Sequence, residues 1–109
     1  MGEYTITWRS TARKQYIRHL RYALQEFGSK TLDDWVMSID EMEKRLEENP
    51  KSFSIVPLLR HLPNEYRGCF VMKNFQVIYT FDELKKVVYI LMIWDMRMNP
   101  ERLRKQIKR

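Results

Sequence analysis

Cysteine occurs once among the 109 residues of this chain, at Cys69, which excludes an internal disulfide and any metal site built from paired thiolates. Histidine occurs twice, at His19 and His61, and neither sits in a zinc-binding spacing. No glycine-rich phosphate loop, dinucleotide fingerprint or Ser–His–Asp arrangement can be read anywhere, so neither a metal nor a cofactor is expected. The longest unbroken apolar run is eight residues, 87–94, far below the roughly 20 that a membrane helix needs. No charged-then-apolar leader opens the chain, and there are no repeats or low-complexity tracts. One soluble domain spanning 1–109 is expected, in the reducing cytoplasm that seven methionines and a lone thiol suit.

What the chain has in quantity is charge, unevenly spread. Its formal net charge is +6. Residues 1–30 carry six basic and two acidic groups, and residues 51–109 carry twelve and five. Residues 31–50 reverse the balance with seven acidic groups and two basic. A basic body with an acidic helix suits an anionic partner, either nucleic acid or an acidic protein, and equally a solvated surface with scattered lysines.

The apolar pattern then predicts the elements. Tyr4, Ile6 and Trp8 alternate with Thr5 and Thr7, as a half-buried strand requires. Ser10 or Thr11 is placed to cap a helix whose buried stripe is Ala12, Tyr16, Leu20, Ala23 or Leu24, and Phe27, stopped by Gly28. Thr31 is placed to open a second helix in a capping box with Asp34, burying Leu32, Trp35, Val36, Ile39, Met42 and Leu46, and Asn49-Pro50 ends it. A turn of about three residues would fold the two into an antiparallel hairpin. Residues 51–65, broken by Pro57 and Pro63, read as a loop with one helical turn. Three strands follow over 66–72, 75–80 and 87–94, turning at Lys73-Asn74 and Asp82-Glu83. The last is mostly β-branched or aromatic, which suits burial on both faces. A helical tail over 100–108 carries Leu103 and Ile107 four apart.

The ordered set Tyr66-Arg67, Val77-Ile78-Tyr79 and Ile90-Leu91-Met92-Ile93-Trp94-Asp95-Met96-Arg97, with Asn99-Pro100 just after, resembles the RelE/ParE superfamily, the toxin halves of bacterial type II toxin–antitoxin pairs, some of which stabilise plasmids. The resemblance covers nearly the whole chain. It implies an α+β fold in which an N-terminal strand, an antiparallel helical hairpin packed on an antiparallel β-sheet, and a short C-terminal helix follow in that order. It implies a growth-inhibiting toxin with a cognate antitoxin as partner, and promoter DNA met only through that antitoxin. It also implies one of two targets: DNA gyrase, poisoned by binding as ParE does, or ribosome-bound mRNA, cut as RelE does.

In the ribonuclease branch, cations on the meander strands stabilise the pentacovalent phosphate while an acid and a base move protons. By position the resemblance implies Arg67 and Arg97 for this work, with His61 as proton shuttle. The expected cation of the third strand falls on the neutral Gln76, and the expected late tyrosine or histidine falls near Leu103. These departures favour the gyrase-binding reading. A partner surface would then draw on Arg67, Lys73, Arg97, Arg102, Arg104 and Lys105, extended by Lys108 and Arg109. Each arginine has a competing structural reading: an ion pair to Glu65 or Asp95 for Arg67, and to Asp95 or Glu101 for Arg97. His19, among arginines, reads as surface, and Cys69 as a small residue on the sheet.

Overall fold

β-Branched and aromatic residues concentrate near the N-terminus and over residues 66–95, with helix formers between and after them, and the elements follow that division. A computed structural model describes residues 2–107. Strand β1 (Thr5–Trp8) is followed by helices α1 (Ser10–Phe27) and α2 (Ser29–Glu48), then by strands β2 (Arg67–Val71), β3 (Phe75–Asp82) and β4 (Val87–Asp95), and by helix α3 (Pro100–Ile107). The connection from α2 to β2 carries two 3₁₀ turns, Pro50–Ser52 and Pro57–Leu59, each opened by a proline, where one helical turn was expected. Lys108 and Arg109, expected to end the basic tail, lie outside the described residues. The chain is α+β, and the meander is antiparallel as its turns predict.

The sheet order is β1-β4-β3-β2, and β1 lies parallel to β4, which makes the sheet mixed. The α1–α2 hairpin lies between β1 and the meander, and β1 takes the outer edge of β4. That edge is longer than β1: pairing stops at Trp8↔Ile90. Beyond it, the Ile93 N–H donates to Gln15 Oε1 of α1 at 2.7 Å, which satisfies a backbone donor that would otherwise be buried without a partner.

A bulge controls which face each residue of β4 meets. Ile78 pairs with Met92 but Tyr79 pairs with Ile90, leaving Leu91 as the extra residue. Strand parity therefore switches at Leu91. Val88, Ile90 and Ile93 join the helix-side core with Ala12, Trp35, Ile39, Leu46, Val77 and Tyr79. Met92 and Trp94 turn to the other face, where Val56, Leu59, Tyr66, Leu103 and Ile107 cover them and Ile78. The run 87–94 is thus loaded on both faces, as its composition predicts.

Local chemistry corrects several sequence expectations. The helices are joined by Gly28 alone, not by three residues: at φ +94° its N–H bonds back to Ala23 O and Leu24 O while Ser29 already starts α2. Only glycine adopts that backbone without strain. Thr31 lies inside the first turn and caps nothing, and Arg9 occupies the N-cap of α1, so Ser10 and Thr11 are helical rather than capping. Phe27 is 66% exposed and Val36 is 37% exposed, so neither belongs to the core predicted for it. At the far end, Asn99 Oδ1 accepts the Glu101 N–H and caps α3. No helix of the described residues is long and apolar enough to cross a membrane.

Candidate functional site

The register separates the two predicted arginines. Arg67 lies opposite Tyr79, whereas Phe75 lies opposite Asp95. Four residues of β3 therefore divide their rows, about 13 Å of strand, with Arg97 beyond the farther row. The two guanidinium groups bond different partners, Arg67 with Phe53 O and Glu65 and Arg97 with Asp95.

Each arginine is engaged where it stands. Arg67, on the helix-side face, has a side chain only 14% exposed. Its Nη1 donates to Phe53 O at 2.6 Å and to Lys51 O at 3.3 Å, and its Nη2 to Glu65 Oε2 at 3.2 Å. Its row partner Tyr79 donates its hydroxyl to Pro50 O at 2.5 Å. Together the pair ties the 50–53 segment to the sheet. Burial pushes the Tyr79 phenol well above its ordinary range, so it remains a donor. Arg97 instead grips Asp95 with two parallel bonds, Nε to Oδ1 at 3.0 Å and Nη2 to Oδ2 at 2.9 Å. Those hydrogen bonds hold the Asp95 carboxyl below the usual carboxylate range. The Arg97 guanidinium also lies 5.6 Å from the centre of the Phe75 ring, and its side chain is 63% exposed.

The remaining candidates scatter. His61 is exposed in the loop before β2. Lys73 is exposed at the tip of the β2–β3 hairpin, where Met72 and Lys73 both hold positive φ, 47° and 67°. Arg102 and Lys105 are exposed on α3, and Arg104 pairs with Glu101 at 3.0 Å. Cys69 is 6% exposed and burial pushes its thiol up to about 11, which leaves it protonated and inert. Gln76 reaches across Gly68, where an added Cβ would stand 2.6 Å from Gln76 Nε2.

Arg97 does border a feature that sequence reasoning missed. A notch of about 250 Å³ opens between the tip of the helical hairpin and the β2–β3 hairpin, walled by His19, Tyr22, Phe27, Trp35, Met72 and Phe75 as well as Arg97. His19 is not a surface residue: its ring stacks on Trp35 at 5.1 Å and 4°, and Phe75 meets it edge-on at 4.7 Å. Burial, with Arg18 adding and Asp95 opposing, lowers the His19 pKa below its ordinary 6.5. A neutral imidazole in an aromatic wall follows. Tyr22 and Phe27, 58% and 66% exposed, form the outer lip. An apolar wall with an exposed aromatic lip and a cation at its rim is suited to seat an apolar side chain and a nearby carboxylate. The only sequence sign of it is Phe27, the last residue of α1, whose helical spacing reads as core although the end of the hairpin overhangs the sheet.

On the opposite face a larger and more polar cleft, about 540 Å³, is lined by Arg9, Ser10, Thr11, Asn64, Tyr66, Thr80 and Gln106 with Leu91, Met92 and Ile107. Among the described residues Arg9 is its one cation, and it stacks over Tyr89 at 5.2 Å. Its lining holds hydroxyls and amides but no imidazole or carboxylate to act as base.

No protein-family model matches the chain, and no curated protein matches it. Among solved structures, a chain of the chromosomal ParDE TA system from P. aeruginosa superposes with a TM-score of 0.65 at 17% identity, over 85% of this chain and 96% of that one. At that identity the likeness is one of fold, and it extends over nearly all of the other chain.

Proposed function

We propose that this chain is the toxin of a bacterial type II toxin–antitoxin pair, neutralised by an antitoxin encoded beside it, and that it arrests growth by binding DNA gyrase. Two independent supports converge on the first part: the ordered residues of the meander and tail, and a fold shared with a chain of a ParDE system. The observation that carries the second is the separation of Arg67 from Arg97. Ribose-directed cleavage needs a base, an acid and a cation around one phosphate. Here four residues of β3 separate the rows of the two arginines, and Arg67 has its donors committed to backbone carbonyls and Glu65. Inhibition by protein contact needs no such convergence. It needs an accessible, partly apolar surface, which the notch at Arg97 supplies.

In this reading the antitoxin seats an apolar anchor between Trp35, Phe75 and the Tyr22–Phe27 lip and sets an acidic residue beside Arg97. The complex meets promoter DNA through the antitoxin, and both partner and target place its work in the cytoplasm. Pulse-labelling within minutes of inducing this chain alone tests the target. Thymidine incorporation should fall first, and purified gyrase should lose supercoiling activity on addition of the chain. Amino-acid incorporation falling first would replace gyrase by ribosome-bound mRNA. Unchanged incorporation of both, with the protein present and folded, would mark a family member without toxicity.

A further inference from the structure

Helix α1 contains four cations, Arg13, Lys14, Arg18 and Arg21, and a single acid, Glu26, in its last turn. Elsewhere Lys30, Lys51, Lys86, Arg97 and Arg104 each stand within 3.5 Å of a carboxylate oxygen. Among the described residues the four cations of α1 have no such partner. Arg13 faces the acidic helix, lining a shallow cavity with Asp40 and Glu43. The other three do not.

Lys14, Arg18 and Arg21 follow each other at i, i+4 and i+7, one row about 10 Å long on a single face of the helix. With Ile17 they line a shallow depression of about 350 Å³. Arg18 is two residues from both Tyr16 and Leu20, the side chains that pack into the helix-side core. A two-residue step carries a side chain about 200° around the helix, so the row points away from the core and from α2. The acidic groups of α2 therefore do not face it. Like charges in one row repel, and among the described residues no ion pair offsets that repulsion. The row is not there to hold the fold.

We propose that this row is a binding surface for the phosphate backbone of duplex DNA, independent of base sequence. The chemistry selects the partner. The row presents cations with one apolar side chain, Ile17, 43% exposed. Protein partners need a desolvated apolar or aromatic centre, and single strands need aromatic faces on which bases stack. No aromatic residue lines the depression. A straight helical face bearing only cations matches the regular phosphates of a duplex. The inference goes beyond the toxin reading and does not depend on it. A protein that holds duplex DNA weakly is nonetheless concentrated where gyrase works.

The test is fluorescence anisotropy of the purified chain with a labelled duplex of arbitrary sequence and about 20 bp. Three phosphate contacts predict a log–log salt slope of about −2.7, which is about a fortyfold loss of affinity between roughly 50 and 200 mM NaCl. The Lys14→Ala/Arg18→Ala/Arg21→Ala variant, its helicity checked by circular dichroism, should lose duplex binding. The single Arg18→Glu variant, which guards against misfolding of the triple, should reduce the slope by about one unit. Arg102→Ala with Lys105→Ala should leave the slope as it was. Parental affinity in the triple variant, loss of binding in the α3 variant instead, or tighter binding to a single strand would each overturn the proposal. So would polyglutamate competing as well as unlabelled duplex at equal charge, which would make the row a dock for an acidic protein. None of these outcomes bears on the incorporation assay, so the two readings fail separately.

Discussion

Arg67 opens strand β2 and Arg97 follows strand β4, each paired with a carboxylate two residues away, and they do different work. Arg67 spends its donors on two backbone carbonyls as well as Glu65, with a side chain 14% exposed. Arg97 spends its donors on Asp95 alone, across the face of Phe75, with a side chain 63% exposed. An ion pair at a sheet end says little until the remaining donors are followed. Where they end on the protein's own backbone the residue is a clamp. Where they end on one neighbouring carboxylate at an aromatic rim, the guanidinium is held in place for a partner.

Breaking the clamp should have the largest effect. Arg67→Ala removes three bonds around a largely buried guanidinium and should cost about 3 kcal/mol of unfolding free energy. Equilibrium urea unfolding reads it, and a loss well under 1 kcal/mol would dismiss the clamp. Tyr79→Phe leaves Pro50 O without its donor and should cost about 1.5 kcal/mol by the same measurement. Arg97→Ala should do the reverse of Arg67→Ala. Its urea midpoint stays at the parental value, while affinity for the cognate antitoxin, measured by titration calorimetry, falls about tenfold or more. A shifted midpoint with unchanged affinity would turn Arg97 into a second clamp.

The notch wall offers a finer test. His19 has a folded pKa below its ordinary 6.5, so below pH 6.5 the unfolded chain takes up the proton first. Its contribution to stability is complete above that value and is lost as pH falls from 6.5 towards the folded pKa. Comparing urea midpoints near pH 7.5 and 5.5, His19→Phe should keep the stack on Trp35 and lose part of this pH dependence. An unchanged profile would exclude His19 as its source. The smallest effect belongs to the hairpin tip. Lys73→Gly relieves a positive φ at a cost in unfolded-state entropy, for a net change within about 1 kcal/mol. A larger loss would show that the lysine side chain itself supports the turn.

How much of this was legible beforehand depended on the range of the interaction concerned. The meander was readable because strand composition and turn residues act over a few neighbours: Phe75, Val77 and Tyr79 announce a strand wherever the chain places them. The competing ion pairs to Glu65 and Asp95 were also readable, being two residues away. His19 reads as surface in the sequence because it sits among Arg18 and Arg21, and only the position of Trp35 and Phe75 decides that it stacks. Phe27 was misread for the opposite reason, its helical spacing continuing past the edge of the sheet it was expected to cover.

By itself, then, the sequence determined the element types and order, the two-faced burial of 87–94, the acidic second helix within a basic body, and the absence of an internal disulfide or a paired-thiolate metal site. Those depend on local periodicity, composition and counting. Tertiary structure alone decided that β1 joins β4 in parallel, that the bulge at Leu91 sends Met92 and Trp94 to the opposite face from Ile90, and that Arg67 is a clamp while Arg97 rims an aromatic notch. Each of these is set by which backbone groups and rings meet across tens of residues, and pairing of that kind leaves no periodicity in the chain for a local pattern to report.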